Sequence, residues 1–313
     1  MPGTDVKVMT HQSLLKSCTL CPRRCGVDRT AHTGFCGEGS SIRIARYSRH
    51  YWEEPCISGD KGSGTVFFSG CSLKCVFCQN FDISQGGKGY EISAGELSSI
   101  FLELQDKGVH NINLVTATHF VPMILDALDS VKGRLNIPVV YNCGGYENEE
   151  TIKLLEGYID IFLPDIKYYD SELSMRLSKA EDYFERAIKA IRLMADITGK
   201  PVIDENGIMK SGVIVRHLVL PNHRKDSIAL IEMLKENFDS DEILISLMSQ
   251  FTPTKQCEGI KDLNRRTTTF EYKSVLKAVE QAGFDGFLQE RTSAKEEYIP
   301  EFFSDKKVTN QKK

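Results

Sequence analysis

No stretch of this chain approaches the ~20 consecutive apolar residues that a helix needs to cross a bilayer, so no helical membrane span is expected. Neither sign of charge is in large excess. The 39 basic and 43 acidic residues leave a formal net charge of −4, which argues against a broad nucleic-acid footprint. The opening residues, Met1-Pro2-Gly3-Thr4-Asp5, lack the basic and apolar regions of a secretory signal, so a cytoplasmic protein is expected. Internal repeats of roughly 20–50 residues and low-complexity tracts are also missing, which sets solenoids aside. What the chain does have is cysteine, ten in 313 residues, together with a hydrophobic content of 41% that suffices for a sizeable core. In an intracellular chain such cysteines read as metal ligands rather than disulfides. Seven of the ten fall into two clusters, which core packing does not explain.

The first ~60 residues are weakly periodic and rich in Cys, Gly and Arg, and Ser58-Gly59-Asp60-Lys61-Gly62-Ser63-Gly64 reads as a turn or linker. We therefore expect a Cys-rich N-terminal extension over 1–62, a main domain over 63–291 and a tail over 292–313, with 306–313 disordered. From Thr65 onward strands and helices alternate. Strands are expected at about 65–70, 111–118, 137–143, 159–167, 213–221 and 242–250. Helices are expected near 94–108, 120–134, 148–157, 171–198, 224–237 and 267–282. Asn206-Gly207, between apolar pairs, predicts a small hairpin. Six β/α units in a row imply an α/β protein with a parallel sheet, either doubly wound or a full or partial barrel. Both architectures place their sites where strands end, and the polar and reactive residues gather there.

Directly after the first strand comes Gly70-Cys71-Ser72-Leu73-Lys74-Cys75-Val76-Phe77-Cys78-Gln79-Asn80. A zinc site would want a fourth Cys or His in the loop, and none is there. A Cys-x-x-Cys redox pair would use Cys75 and Cys78 and leave Cys71 idle. A cubane iron–sulfur cluster uses Cys71, Cys75 and Cys78 and leaves one iron without a protein ligand. This spacing after a strand, with the aromatic Phe77 before the last Cys, resembles the radical S-adenosylmethionine superfamily. The resemblance covers about 65–250. It implies a partial (β/α)6 barrel and a [4Fe–4S] cluster whose open iron chelates S-adenosylmethionine. It also implies reductive cleavage of that cofactor to methionine and a 5′-deoxyadenosyl radical, which abstracts hydrogen. A flavodoxin- or ferredoxin-type electron donor is implied too.

At the fourth strand, Phe162-Leu163-Pro164-Asp165-Ile166-Lys167 puts a carboxylate and an ammonium two residues apart, on one side of the strand. A surface salt bridge is the plain alternative. The stretch is similar to the Asp-Leu-Lys of glycyl-radical-enzyme activases such as pyruvate formate-lyase activating enzyme, where the two residues contact S-adenosylmethionine. Arg216, in an apolar strand, resembles a strand Arg of those enzymes; a buried cation needs an anion, and the cofactor carboxylate would serve. The resemblance also implies that Phe77 packs on the adenine, unless it is an ordinary core aromatic. Asn142 falls where activases carry a polar residue near the ribose, or is simply a turn residue. Gln250 has a weaker claim, and Leu288-Gln289-Glu290-Arg291 is placed near the mouth by position alone. The family's Gly-Gly-Glu is replaced by Val115-Thr116-Ala117-Thr118-His119, of which Thr116, Thr118 and His119 could accept from the cofactor's ammonium. That substitution, with the upstream Cys-rich run, resembles an activating-enzyme-like branch. The substrate could be a glycyl-radical enzyme, another macromolecule or a small molecule.

Upstream, Cys18, Cys21, Cys25 and Cys36 supply four thiols in nineteen residues. Zinc and a second, fully ligated iron–sulfur cluster both fit that spacing, and a flexible thiol-rich arm is a third reading. A non-enzymatic zinc protein using both Cys groups is the alternative to an enzyme. Cys56, Cys143 and Cys257 stand alone and are expected as buried small hydrophobes.

Overall fold

The structure is a computed structural model, and it describes residues 11–288. The tail expected over 292–313 lies outside the described residues, as do Gln289, Glu290 and Arg291. The strands are β1 (Ile42–His50), β2 (Ser63–Phe68), β3 (Tyr90–Ile92), β4 (Ile112–Val115), β5 (Val139–Cys143), β6 (Ile161–Pro164), β7 (Val202–Ile203), β8 (Met209–Leu218), β9 (Leu244–Met248) and β10 (Gly286–Leu288). The helices are α1 (Pro55–Ser58), α2 (Phe81–Ser84), α3 (Ala94–Asp106), α4 (Val121–Ser130), α5 (Glu149–Leu154), α6 (Ser171–Ser178), α7 (Tyr183–Thr198), α8 (Arg224–Asn237) and α9 (Thr269–Ala282).

Seven strands run parallel, in chain order, from β2 through β4, β5, β6, β8 and β9 to β10. A parallel sheet that grows in one direction, with a crossover between neighbours, is a barrel left open rather than a doubly wound sheet, whose strand order reverses. The fold is thus a partial β/α barrel behind a Cys-rich N-terminal segment. Its strands are buried on both faces: β5 (Val-Val-Tyr-Asn-Cys) and β6 (Ile-Phe-Leu-Pro) have no exposed residue. Alternation sorts them. Tyr141, Phe162, Val213 and Val215 join the large core under the helices, whereas Val140, Ile161, Leu163, Met209 and Ile214 form a second cluster closed by Cys56 and Ile57 of α1. Helices α3 and α9 begin in full capping boxes, Ser93 with Glu96 and Thr268 with Glu271.

The structure corrects the reading in three places. The helix expected over 171–198 is two, because Lys179 takes a left-handed conformation (φ 55°) that ends α6. Strand β1, within the Cys-rich segment, pairs antiparallel with β2, and β3 pairs antiparallel with β1. The third addition is β10, a parallel strand beyond the expected six. The hairpin at Asn206-Gly207 is present, joining β7 to the start of β8. Among the described residues no helix is long and apolar enough to cross a membrane.

Candidate active site

The loop of three cysteines leaves the C-terminal end of β2 through Gly70, whose φ is +81°. A Cβ there would lie 2.5 Å from Cγ of Glu38 and 2.9 Å from the Cys36 carbonyl, so glycine is required. Lys74, between the first two cysteines, is also left-handed (φ 54°) and turns the loop back on itself. Each sulfur has a polar neighbour. The Leu73 N–H donates to Cys71 Sγ at 3.4 Å, Ser178 Oγ donates to Cys75 Sγ at 2.9 Å, and Ser84 Oγ lies 3.2 Å from Cys78 Sγ. Tyr168 OH backs Ser178 Oγ at 2.6 Å. Burial raises the Cys75 thiol, against the pull of Lys167. Burial also pushes Cys78 up to about 12, aided by the like charges of Cys75 and Cys71. Among the described residues no three His, Cys, Asp or Glu side chains are drawn in tightly enough to hold a single metal ion. Three thiols of one loop, each with a donor at its sulfur, nevertheless make the donor set that an iron–sulfur cluster takes, one thiolate per iron.

The remaining candidates gather on the same strand ends. Register sets Val115 of β4 beside Asn142 of β5, Cys143 beside Pro164 of β6, and Asp165 beside Arg216 of β8. Gly145 (φ +78°) lets the loop after β5 lie on the Asp165 carbonyl, a space any Cβ would fill. Asp165 Oδ2 accepts from Lys167 Nζ at 2.5 Å, and Asp165 Oδ1 accepts from Arg216 Nε at 2.9 Å. Arg216 also donates to Asn142 Oδ1 at 2.5 Å and to Glu53 Oε2 at 3.2 Å. Glu53 Oε1 accepts from Asn113 Nδ2 at 3.0 Å. Burial alone would raise the Asp165 carboxyl, but Arg216 and Lys167 outweigh it and hold Asp165 below the usual carboxylate range. Burial would lower Lys167, yet Asp165 keeps it above its ordinary value. Glu53 and Glu54 are shifted up by burial, against Arg216. Lys167 and Arg216 therefore share one buried network with Asp165 and Glu53, to which Glu54 adds its field at Arg216, and Lys167 lies within electrostatic reach of Cys75.

Several sequence expectations are redrawn by this geometry. The anion that Arg216 needs is supplied inside the protein, by Asp165 and Glu53. His119, expected to accept from an ammonium, is 2% exposed; its Nε2 lies 2.6 Å from the Ser69 carbonyl and its Nδ1 has no partner. Burial, reinforced by Arg29, lowers His119 to about 3, so the ring is a neutral prop beneath the start of the Cys loop. Thr118 is buried too and donates to Glu147 Oε1 at 2.8 Å. Of the three, only Thr116 is partly exposed; its φ is +60° and its N–H donates to the Asn142 carbonyl. Phe77 is 7% exposed and meets Tyr168 and Phe251 edge-on at 6.3 and 6.1 Å, in the manner of a core aromatic. The Gln250 carbonyl accepts from Gln79 at the end of the Cys loop. Cys56, Cys143 and Cys257 are buried.

Sequence reasoning missed Glu53, Asn113 and Ser178. Asn113 carried a signal, being a polar residue in the otherwise apolar strand Ile112–Val115. Glu53 carried none, because it comes from a loop that only the fold brings under the barrel.

The Radical SAM superfamily model matches residues 65–234, more than half of the chain. An uncharacterized protein of Methanocaldococcus jannaschii is 33% identical over 293 residues, 90% of this chain and 79% of that one. Similar solved structures include Streptococcus suis SuiB bound to the precursor peptide SuiA (TM-score 0.49, 15% identity, 70% of this chain). This chain spans just under half of SuiB, 46%. A domain of pyruvate-formate lyase-activating enzyme from Bacteroides vulgatus gives a TM-score of 0.36 at 14% identity, over 53% of this chain and 91% of that one. With its three thiols on the loop after the first parallel strand and the family model running from that strand onward, the chain belongs to the radical SAM superfamily, which implies a [4Fe–4S] cluster and S-adenosylmethionine.

Proposed function

We propose that this enzyme is an activase-like radical initiator, whose Cys71, Cys75 and Cys78 hold the cluster and whose target is a glycine of a partner protein. When bound, the cluster and S-adenosylmethionine would supply the radical chemistry that removes a hydrogen atom from the target. The chain's own residues position and shield. Lys167 offers a cation beside Cys75, suited to a cofactor carboxylate. Asp165, itself fixed by Arg216, holds Lys167 in place and keeps its ammonium charged in a buried setting. Thr116, partly exposed, offers its carbonyl and hydroxyl oxygens as acceptors to the cofactor's amino end, while its N–H is held by the Asn142 carbonyl behind it. Phe77, Tyr168 and Phe251 keep water from the loop.

The observation that carries this reading is the meeting, at the strand ends, of the Cys71–Cys78 loop with the Asp165/Lys167 pair, which is similar to the activase stretch. A flavodoxin- or ferredoxin-type protein would deliver the electron. The test is to mix the reconstituted, reduced enzyme and S-adenosylmethionine with co-purifying proteins and look for a glycyl radical by electron paramagnetic resonance. The doublet of a glycyl radical on a partner chain is expected. 5′-Deoxyadenosine without any protein radical would reject the activase and leave a small-molecule substrate.

A further inference from the structure

The N-terminal cysteines lie against the radical loop. The Cys71 N–H donates to the Cys36 carbonyl at 3.2 Å. Arg23, between Cys21 and Cys25, donates to the carbonyls of Ser72 and Ser178 at 2.8 Å and also to that of Lys179. In return, Asn148 Nδ2 and Thr151 Oγ1 donate to the carbonyls of Thr19 and Leu20 at 2.6 and 2.8 Å. Yet residues 16–41 contain no helix or strand to hold their shape. Its shape rests on these hydrogen bonds and on whatever cross-links it carries.

Four thiols stand where such a cross-link would form. Cys18, Cys21 and Cys36 are buried within electrostatic reach of one another, and none of the four forms a disulfide. Cys25 Sγ and Cys36 Sγ each lie 3.4 Å from the Cβ position of Gly34, which glycine keeps clear between them. A second observation points the same way. The Arg29 guanidinium is 1% exposed, and its hydrogen bonds go to the main-chain carbonyls of Glu38, Gly39 and His119, not to a carboxylate. A buried cation with no directly bonded anion calls for negative charge nearby, of which the buried Glu38 carboxyl, within electrostatic reach, supplies one part. Four thiolates on a divalent metal or an iron–sulfur cluster leave net negative charge beside Arg29.

We propose that Cys18, Cys21, Cys25 and Cys36 close a second thiolate-ligated metal centre, distinct from the radical site, that clamps the N-terminal segment onto the Cys71–Cys78 loop. The thiols are not gathered on one point as they stand. Closure therefore needs side-chain rotation, which the exposed Cys25 is free to make. With a divalent metal such as zinc, the centre releases the thiol protons and takes up the metal with no change of oxidation state; an iron–sulfur cluster would be taken up preassembled, with its sulfide and its iron oxidation states already set.

The test uses the full chain, purified anaerobically, with Cys71, Cys75 and Cys78 all changed to Ala. Zinc, iron and acid-labile sulfide are counted per chain. The expected result is either stoichiometric zinc without sulfide or iron matched by sulfide, and further change of Cys25→Ser removes it. No bound metal in the triple variant, or metal unaffected by Cys25→Ser, overturns the proposal. Should the triple variant fail to fold, Cys25→Ser alone in the otherwise intact protein keeps the question open to measurement, since Cys25 is the exposed member of the four. It should lower the metal content by one centre and speed hydrogen exchange at the Val76 amide, bonded to the Leu177 carbonyl at 2.9 Å. Unchanged metal and unchanged exchange would overturn the clamp.

Discussion

Ser178 is the residue whose chemistry can be read most directly, because it touches a candidate cluster ligand. Its hydroxyl donates to Cys75 Sγ and is itself supported by Tyr168 OH. A donor at a ligating sulfur stabilises the more negative, reduced cluster. Ser178→Ala should therefore shift the cluster's midpoint potential downward in a redox titration followed by electron paramagnetic resonance, with the iron content retained. An unshifted potential would mean that Cys75 does not ligate the cluster. Thr116 gives a second prediction. A β-branched residue at φ +60° is strained, and the family's Gly-Gly-Glu places glycine near this point. Relief of that strain outweighs the added freedom of the unfolded chain, so Thr116→Gly should raise stability by roughly 0.5–1 kcal/mol in denaturant unfolding. Equal or lower stability would show that the backbone there is unstrained.

Among the elements, the break between α6 and α7 joins the two ends of the site. Lys179 ends α6 in a left-handed turn, and the carbonyls of Ser178 and Lys179 are thereby free to accept from Arg23. That one guanidinium ties together the N-terminal segment, the Cys loop and α6, and its face also covers Phe35 and Tyr146. Arg23→Ala should cost about 2 kcal/mol of stability and accelerate loss of iron from the radical loop, measured by urea unfolding and by chelator challenge. A neutral substitution would mean that the segment docks without it. Local runs were legible at this scale: Cys71 to Cys78 and Asp165-Ile166-Lys167 are short, and their roles follow from spacing after a strand. What arrives from far along the chain was not legible. Glu53 reaches Arg216 across 163 residues, and Thr118 finds Glu147 only after β5 has returned beside β4. The broken helix was hidden because the residues around Lys179 keep a helical pattern on both sides, and only the turn geometry divides them.

For the whole molecule, a parallel sheet was legible from the alternation of strands and helices, but its in-order course, the mark of an open barrel, followed only from the family resemblance, and the antiparallel edge formed by β1 and β3 was not legible. A separate buried carboxyl, Glu147, gives the fold a pH signature. Burial raises Glu147 from an ordinary 4.5 to about 8, against hydrogen bonds from Thr118, Tyr141 and Cys143. A carboxyl whose folded value is raised keeps its proton in the folded state while the unfolded chain has lost it. Its contribution is full below the unfolded value and is lost as the pH rises to the folded one, so stability falls between about 4.5 and about 8. Glu147→Gln should flatten that slope in unfolding curves taken at the two ends of the window; an unchanged slope would assign it to other groups. The central claim, that Cys71, Cys75 and Cys78 build a radical-generating centre, is tested most directly by one assay. The anaerobically reconstituted protein is reduced with dithionite, given S-adenosylmethionine and assayed for 5′-deoxyadenosine, beside Cys71→Ala. The account predicts product from the unaltered chain and none from the variant; equal product from both, or none from either despite a full complement of iron and sulfide, would contradict it.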